Sequence, residues 1–499
     1  MRILLPSLSF SEKENYDSEM FNWGLLYIAD YINRNGHEAY ILVARFLGEL
    51  KEKIGDKIDS FDILGFSLMT PSMPDFLDII AFTKNELGKK DIPIIAGGMH
   101  PTLMPDQTIK HPYVDFVIRG EGEIDLLKLM NRLERGGDYD DIEGLCFKNP
   151  DGTYKIGSIQ TIDDFFGLHP GVINYDLMDK EYLKSYRNNA AVFSGRGCPF
   201  RCLFCPNTVL RKKFSLKPAD VVLEEIDYLV RHFNPKYISF IDDIFFANKK
   251  RLVEIIDGII ERKYTFKWKS TCRVNYFNKK NMNEDILIKL EQSGCQLLVF
   301  GVETGSQRVS DFIRKDIKID QVYETAELLS RTKINGRFNF MIGFPEETLD
   351  EMKETFKMTK RLKSYGRNII ISGPQLFRIY PGGRLYDICM EHGYIEPGTL
   401  EEWADVPRYM QRHTLIQGAP YPWFNHEQKT MVRNSMFVVL GGVSERIKSK
   451  KQFWKLIYMI PCKLRINALS FKYPVDLFIL RQLTRFYFFC KDMRSRMKN

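Results

Sequence analysis

The sequence Ser194-Gly-Arg-Gly-Cys-Pro-Phe-Arg-Cys-Leu-Phe-Cys-Pro206 follows an apolar segment and contains a C-x3-C-x2-C spacing. Its three cysteines are Cys198, Cys202 and Cys205. Three thiolates on one short loop can hold three irons of a [4Fe-4S] cluster, so the fourth iron must take a ligand from elsewhere. The alternative is a zinc knuckle, which needs a fourth Cys or His nearby, and the nearest histidines are His169 and His232. The stretch therefore predicts a cluster with one open iron.

Upstream of the cysteines, apolar strands alternate with amphipathic helices from about Trp23 to Asn35 and from about Asp75 to Leu87. The predicted strands are Arg2–Pro6, Glu38–Val43, Asp62–Ser67, Ile92–Gly98 and one that begins at Val114. This alternation is typical of a parallel sheet covered on both faces. The sequence therefore predicts an α/β domain with a doubly wound, Rossmann- or flavodoxin-like sheet over residues 1–140.

Ligands of such sheets bind at the carboxyl ends of the strands, and three of these ends have unusual sequences. They are Gly65–Ser72, Gly97–Thr102 and Arg119–Glu123. Glycine permits close approach of the backbone, and the hydroxyls and amides can bind a large polar ligand. Taken singly, each of these features is also ordinary turn chemistry.

The strand and helix alternation resumes at Ala190 with a longer repeat. Several later strands end in charged residues, which are Asp242, Asp243, Arg273 and Glu303. Barrel sites lie at the carboxyl ends of strands, which makes these residues candidates for ligand binding. Structural ion pairs at the rim of a barrel are the alternative for each of them.

In this order, the motifs Gly-Phe-Ser, Gly-Gly-x-His-Pro-Thr, Gly-Glu-Gly-Glu and the cysteine triplet resemble the cobalamin (B12)-dependent radical S-adenosylmethionine (SAM) family. The resemblance covers roughly residues 1–420. It implies a cobalamin-binding domain, a partial (β/α)6 barrel, and three cofactors: a [4Fe-4S] cluster, SAM and cobalamin. It also implies reductive cleavage of SAM to a 5′-deoxyadenosyl radical, followed by methylation of an unactivated carbon from methylcobalamin.

The resemblance assigns cofactor-binding roles but no catalytic side chain. For cobalamin the residues are Ser67, Thr70, Ser72, Gly97, Gly98, His100, Glu121 and Gly122. For SAM they are Asp242, Asp243, Arg273 and Glu303, of which the acids suit the ammonium and hydroxyls and the arginine suits the carboxylate. The metal ligands are the three cysteines.

The Asp-x-His-x-x-Gly motif, which supplies a histidine to cobalt in other B12 domains, is absent from this sequence. The nearest match, Asn35-Gly-His-Glu38, is out of frame, so His37 is interpreted as a loop residue. The resemblance therefore implies cobalamin with its own base displaced and no protein histidine on cobalt. We expect the loop Leu68–Thr70 to face the lower side of the corrin.

The predicted organisation has four parts. After the first domain, residues 141–187 form a linker that contains a hairpin over Gly144–Lys155 with Asp-Gly at its turn. Residues 188–420 form the partial barrel, and residues 421–499 form a basic, aromatic-rich helical region.

The C-terminal segment carries a strong surplus of positive charge. Residues 445–499 hold fourteen Lys and Arg against three Asp and Glu, in a chain of 499 residues with a formal charge of +8. No apolar run reaches the roughly 18 residues of a membrane span. Such a segment could lie on an anionic membrane surface or pack on the barrel, and no RNA-reading module accompanies it, so nucleic acid is not an expected partner.

Nine cysteines in scattered positions do not form a disulfide framework, and Met1-Arg-Ile-Leu-Leu-Pro6 predicts a strand rather than a signal peptide. We therefore expect a cytoplasmic protein, with peripheral contact at the inner membrane if the C-terminal segment binds lipid. The expected partners are a small-molecule, lipid or peptide substrate and an external electron donor such as flavodoxin or ferredoxin.

Two other functions stay open at this stage. One is a ring-forming or oxidative reaction, as in the anaerobic cyclases of tetrapyrrole synthesis. The other, from a different class, is a non-catalytic corrinoid-binding or cluster-sensing protein. The charged strand ends and the open-iron triplet argue against the second.

Overall fold

A computed structural model describes residues 1–8, 21–210, 213–406 and 421–432. Its first sheet has seven strands in the order β2-β1-β3-β4-β5-β6-β7, and β1 to β5 pair in parallel. The strands are β1 (Arg2–Leu8), β2 (Glu38–Ala44), β3 (Ile63–Ser67), β4 (Ile94–Gly97), β5 (Phe116–Ile118), β6 (Leu145–Lys148) and β7 (Tyr154–Lys155). The helices of this part are α1 (Trp23–Arg34), α2 (Leu47–Lys57), α3 (Met73–Ala81), α4 (Met99–Leu103), α5 (Pro105–Ile109) and α6 (Glu123–Arg135).

The parallel strands are apolar on both faces because helices cover both sides of the sheet. Ile3, Leu4, Ile63 and Leu64 are fully buried. The doubly wound sheet predicted from the sequence is confirmed. The predicted helix over residues 75–87 is α3, which continues as a π-helical turn over Phe82–Glu86.

The hairpin differs in its role from the sequence-based prediction. The sequence predicts the hairpin as part of a linker, but β6 pairs antiparallel with β5 and so extends the first sheet. The short helices α7 (Phe165–Leu168) and α8 (Lys180–Lys184) then lead to the second sheet.

The second sheet has six parallel strands in the order β15-β14-β13-β12-β11-β8 and forms the predicted partial barrel. Its strands are β8 (Asn189–Val192), β11 (Tyr237–Phe240), β12 (Lys267–Cys272), β13 (Cys295–Glu303), β14 (Asn335–Ile342) and β15 (Ile369–Leu376). A small antiparallel pair, β9 (Gly195–Arg196) and β10 (Ser215–Leu216), flanks the cysteine loop. The helices are α9 (Asn207–Leu210), α10 (Ala219–Phe233), α11 (Lys249–Glu261), α12 (Glu284–Gln292), α13 (Gln307–Phe312), α14 (Ile319–Ser330), α15 (Leu349–Lys363) and α16 (Arg384–Glu391).

Both sheets share packed cores, which fix the two halves against each other. Tyr27 of α1 is buried and its hydroxyl donates to the carbonyl of Phe193, 3.3 Å away, in the strand-end segment before the cysteines. The carboxyl ends of both sheets therefore face one region between the two halves.

The predicted helical region over residues 421–499 lies outside the described residues except for 421–432. Within the part of the chain that the structure describes, no helix has the length and apolarity of a membrane span.

Candidate functional site

The cysteine loop runs from β9 to α9 and is held in place by backbone hydrogen bonds. Leu203 donates to the carbonyl of Ile313 at 2.9 Å, and its own carbonyl accepts from the amide of Leu385 at 3.0 Å. Cys198, Cys202 and Cys205 all carry free thiols. Burial raises the pKa of the Cys205 thiol to about 11. Thiolates at such a site need a metal or a nearby cation to be stable.

Two buried cations supply positive charge beside this loop. Nη1 of Arg273 lies 3.6 Å from Sγ of Cys202, and the same guanidinium lies 3.6 Å from the ring centroid of Phe200. Nζ of Lys315 lies 5.6 Å from the ring centroid of Phe204 and 2.8 Å from Oε1 of Glu303. A cluster bound by three thiolates carries net negative charge, which these cations offset.

The donor set of three thiols on one loop fits an iron–sulfur cluster. Among the described residues, no three His, Cys, Asp or Glu side chains are gathered to hold one ion. In a [4Fe-4S] cluster each thiolate binds a different iron, so the sulfurs need not converge on one point. The three free cysteines and the adjacent Arg273 fit that requirement.

A cleft of about 1360 Å³ separates the carboxyl ends of the two sheets. The first domain contributes Ser67, Gly98, Thr102, Glu121 and Gly122 to its lining, and the barrel contributes Phe193, Arg196, Ile241 and Asp243. A narrower slot of about 440 Å³ continues below it, between the first sheet and α1 and α6, and is lined by Gly65, Gly97, Gly98, Gly120 and Gly122. The slot continues the cleft between glycines that carry no side chain, an arrangement that suits a large, branched ligand such as cobalamin.

The floor of the cleft depends on the absence of a side chain at Gly98. This residue has φ of +90°, and a Cβ atom there would lie 2.5 Å from the amide nitrogen of Leu68. Only glycine fits such a contact at a positive φ. The loop Leu68–Thr70 therefore lies directly against the turn between β4 and α4, as a flat floor for a planar ring requires.

Sequence reasoning missed Arg196, which joins the two halves across the cleft. Its Nε donates to Oε1 of Glu121 at 2.5 Å, and its guanidinium lies 3.8 Å from the ring centroid of Phe165. Arg196 is only 8% exposed. Its position two residues before Cys198, at the end of an apolar strand, is the signal that could have indicated it.

The predicted cobalamin residues lie in two places. Ser67, Gly98, Glu121 and Gly122 line the cleft, and Gly97 lines the slot below it. Thr70 and His100 line a neighbouring cavity instead and contact each other, with Oγ1 of Thr70 3.0 Å from Nδ1 of His100. Ser72 makes local contacts only, because its hydroxyl donates to the carbonyl of Met69 at 2.7 Å and accepts from the amide of Met69.

The two neighbouring aspartates after β11 have different surroundings. Asp242 is 1% exposed and accepts from the amide and the hydroxyl of Ser194 at 2.7 and 2.6 Å. Burial raises the pKa of Asp242 to about 6, although the bonds from Ser194 oppose the shift. Asp243 lines the cleft and accepts from the amide of Gly197 at 3.2 Å. The structure thus gives Asp243, and not Asp242, access to a ligand in the cleft.

His37 lies at the end of the first sheet opposite to the cleft. Its ring is 3.0 Å from the N-terminal nitrogen of Met1 and 3.3 Å from Oδ1 of Asn131. Met1 precedes β1, so these contacts are at the amino ends of the parallel strands, whereas the cleft is at their carboxyl ends. His37 therefore does not reach a ligand in the cleft.

A doubly wound domain is joined to a partial barrel, and the segments on either side of a three-cysteine loop line the cleft between them. This arrangement defines a class of proteins that combine a corrinoid-type α/β domain with a cluster-bearing barrel. The family model of the B12 binding domain matches residues 14–129, and that of the radical SAM superfamily matches residues 192–359. The chain is 30% identical over 398 residues to the uncharacterized methyltransferase PH0819 of Pyrococcus horikoshii, covering 78% of this chain and 82% of that protein.

Two further similarities agree with this class. The chain is 26% identical over 352 residues to the anaerobic magnesium-protoporphyrin IX monomethyl ester cyclase of Rubrivivax gelatinosus, covering 68% of this chain and 62% of the cyclase. The structure of the cobalamin-dependent SAM radical enzyme OxsB, with aqua-cobalamin and SAM bound, matches 97% of this chain and 75% of that chain with a TM-score of 0.66 and 16% identity. The chain belongs to the cobalamin-dependent radical SAM family.

Proposed function

We propose that the protein is a carbon methyltransferase that uses a [4Fe-4S] cluster, SAM and cobalamin. One observation carries the proposal: Arg196 and Leu210, which lie on either side of the cysteine loop, line the same cleft as the glycine-lined floor. Similarity to a protein named as a methyltransferase, over 82% of its length, supports methylation as the reaction. When bound, the cluster and SAM supply a radical that abstracts hydrogen, and cobalamin supplies the methyl group.

In this proposal the chain's residues hold and orient the reactants. Cys198, Cys202 and Cys205 ligate the cluster, and Arg273 stabilises its negative charge from 3.6 Å. Asp243 accepts hydrogen bonds from SAM, whose ammonium and hydroxyls need acceptors. The backbone at Gly98 and Leu68 supports the corrin, because no side chain intervenes there.

The ion pair between Arg196 and Glu121 contributes to the reaction by fixing the two halves of the molecule on either side of the cleft. Both side chains are nearly buried, at 10% and 8% exposure, so the pair is shielded from solvent. It joins the segment before Cys198 to the turn that begins α6, which keeps the two halves at a fixed separation. Such positioning lowers the barrier of a reaction between bound groups, and exclusion of water protects a radical.

A second candidate function is ring formation, because the chain is also similar to an anaerobic cyclase. The two functions predict different products from SAM. Methyl transfer that passes through cobalamin consumes a second SAM and releases S-adenosylhomocysteine, whereas hydrogen abstraction alone releases only 5′-deoxyadenosine and methionine.

The experiment is anaerobic incubation of the reconstituted protein with SAM and dithionite, with and without cobalamin, and with both products quantified. We expect S-adenosylhomocysteine only when cobalamin is present. 5′-Deoxyadenosine without any cobalamin-dependent S-adenosylhomocysteine would favour cyclisation over methylation. A protein that binds both cofactors and forms neither product would support a non-catalytic corrinoid-binding role.

The proposal includes an external electron donor such as flavodoxin or ferredoxin, since reductive cleavage of SAM needs one electron per turnover. It also includes contact of residues 445–499 with an anionic membrane surface, which rests on their charge in the sequence. A lipid-like or other small-molecule substrate would be compatible with both.

A further inference from the structure

A second cavity of about 660 Å³ lies next to the cleft. It is bounded by the loop after β3 and by α4 on one side, and by the cysteine loop and the segment after β15 on the other. Its lining is largely apolar and includes Met69, Met99, Leu103, Phe204, Phe377 and Leu385. Largely apolar cavities with a few polar groups are typical of sites that bind small molecules.

This cavity adjoins the cleft through two flexible side chains. Met69 and Met99 line both spaces and so form the partition between them. Met69 is 44% exposed, which is unusual for a large apolar side chain in such a location. Methionine has three rotatable bonds and a polarisable sulfur, so it adapts to neighbours of different shape.

Two polar side chains of the second cavity are available to a ligand. Arg378 is among the residues that line the cavity and is exposed to solvent, so it lies at the mouth of the cavity. His100 is 1% exposed, and its Nε2 has no hydrogen-bond partner among the described residues, although Nδ1 contacts Thr70. A buried ring nitrogen without a partner costs free energy, and a guanidinium at the mouth of an apolar cavity favours a ligand with an anionic group.

We infer that the second cavity binds an apolar molecule that carries one carboxylate or phosphate group, and that this is the substrate class of the methyl transfer. The anionic group pairs with Arg378, a polar atom near it bonds to Nε2 of His100, and the apolar body packs on the methionines and phenylalanines. The identification of this molecule as the substrate rests on the proposed function, but its binding to the cavity can be tested without turnover.

The test uses decanoate and decyl phosphate as probes, with decanol and decylamine as matched uncharged and cationic controls. Binding to the anaerobic holoprotein is measured by calorimetry, and iron and cobalamin contents are measured before and after. We expect the two anions to bind at least tenfold more tightly than the alcohol or the amine, because a charge-assisted hydrogen bond is worth about tenfold or more in affinity.

Variants locate the site. Arg378→Gln should weaken decanoate binding about 10-fold to 100-fold, and Arg378→Lys should restore part of it by restoring the charge. The matched control is Arg367→Gln, an exposed arginine that precedes β15 at the opposite end of the strand and should bind decanoate as the wild type does.

Three results would overturn the inference: equal affinity for decanoate and decanol, equal binding by Arg378→Gln and Arg367→Gln, or release of cobalamin when decanoate binds. The last would assign the cavity to the cofactor site. A failure of the proposed function is distinguishable, because it would abolish the cobalamin-dependent product from SAM and leave decanoate binding unchanged.

Discussion

The three cysteines of the loop lie in one short segment, and one of them contacts a guanidinium directly. Cys146, Cys272, Cys295 and Cys389 are buried in apolar surroundings that raise the pKa of each thiol. Cys202 instead lies 3.6 Å from Nη1 of Arg273. A buried thiol without a cation or metal stays protonated and unreactive. The loop combines three cysteines with a neighbouring guanidinium, and so among the described segments it is the one suited to bind an iron–sulfur cluster.

Replacing any one of Cys198, Cys202 and Cys205 by Ala should remove the cluster and leave cobalamin in place. The reason is that the glycine-lined floor and slot belong to the first domain, whereas the cysteines belong to the barrel. Iron content, the EPR signal of the reduced cluster and the visible spectrum of cobalamin measure both effects. The matched control is Cys295→Ala, which should retain iron. Loss of cobalamin in every loop variant would contradict the separate binding.

Glu347 should make the stability of the protein depend on pH. It is 2% exposed, and burial raises its pKa from 4.5 to about 8 although the amide of Phe344 donates to it. The folded protein therefore holds this proton more tightly than the unfolded chain does. Its contribution to stability is present at low pH and is lost as the pH rises from about 4.5 to about 8, by at most about 1.4 kcal/mol per pH unit.

Glu347→Gln should remove that dependence, because the amide oxygen still accepts hydrogen bonds and carries no proton to lose. Thermal unfolding of both proteins at about pH 5.5 and about pH 8.5 measures the effect. The wild type should lose stability relative to the variant at the higher pH. Glu346→Gln, at the exposed neighbouring position, should follow the wild type. Parallel curves for wild type and Glu347→Gln would show that Glu347 ionises freely.

The sequence indicated the charged residues of the site but not their roles. Asp242 and Asp243 follow the same strand, and the pattern of residues does not tell which of them faces the cleft. The answer depends on Ser194, whose amide and hydroxyl bind Asp242 across the sheet. The role of Arg196 also depends on a contact that local sequence does not show, because its partner Glu121 lies 75 positions earlier in the chain.

At the scale of elements, the turn between β4 and α4 positions the floor of the cleft. Gly98 has no side chain, which lets its backbone lie close to the amide nitrogen of Leu68. A methyl group there must displace the loop Leu68–Thr70, because the nearest atom belongs to the backbone and not to a flexible side chain.

Gly98→Ala should therefore lower cobalamin affinity at least tenfold while iron content stays unchanged. The matched control is Gly36→Ala, which has nearly the same φ, +89° against +90°, but has no atom within 4 Å of the added Cβ. Both variants pay the conformational cost of a positive φ, roughly 1–2 kcal/mol, so only the clash distinguishes them. Equilibrium titration with hydroxocobalamin measures the difference. Equal affinities would mean that this turn does not support the corrin.

Most elements of both sheets could be predicted because their apolar strands and amphipathic helices alternate at regular spacing. The hairpin over β6 and β7 was recognised from its Asp-Gly turn, but its pairing with β5 was not. Strand pairing depends on which sheet edge is free, and local sequence does not contain that information. The second cavity was also unpredictable, since it is built from four separate segments.

In the whole molecule, the carboxyl ends of both sheets face one cleft. A strongly basic segment follows the second sheet in the sequence. Residues 445–499 carry a surplus of eleven positive charges. Each basic residue near an anionic surface contributes about 1 kcal/mol of binding free energy, an effect that salt screens.

Deletion of residues 445–499 should abolish co-sedimentation with vesicles that contain anionic lipid and should leave both cofactors bound. Binding of the intact protein should weaken as salt is added. Vesicles of neutral lipid serve as the control. If the intact protein does not co-sediment at low salt, or if the truncated protein loses its cofactors, the segment is structural and the membrane proposal is wrong.

The central claim is that an open-iron cluster on the cysteine loop cleaves SAM. The most direct measurement is the yield of 5′-deoxyadenosine after anaerobic reconstitution with iron and sulfide, addition of SAM and reduction by dithionite. We expect the wild type to form 5′-deoxyadenosine only in the presence of reductant, and the protein with all three of Cys198, Cys202 and Cys205 replaced by Ala to form none. Equal, reductant-dependent formation by the triple variant would contradict it.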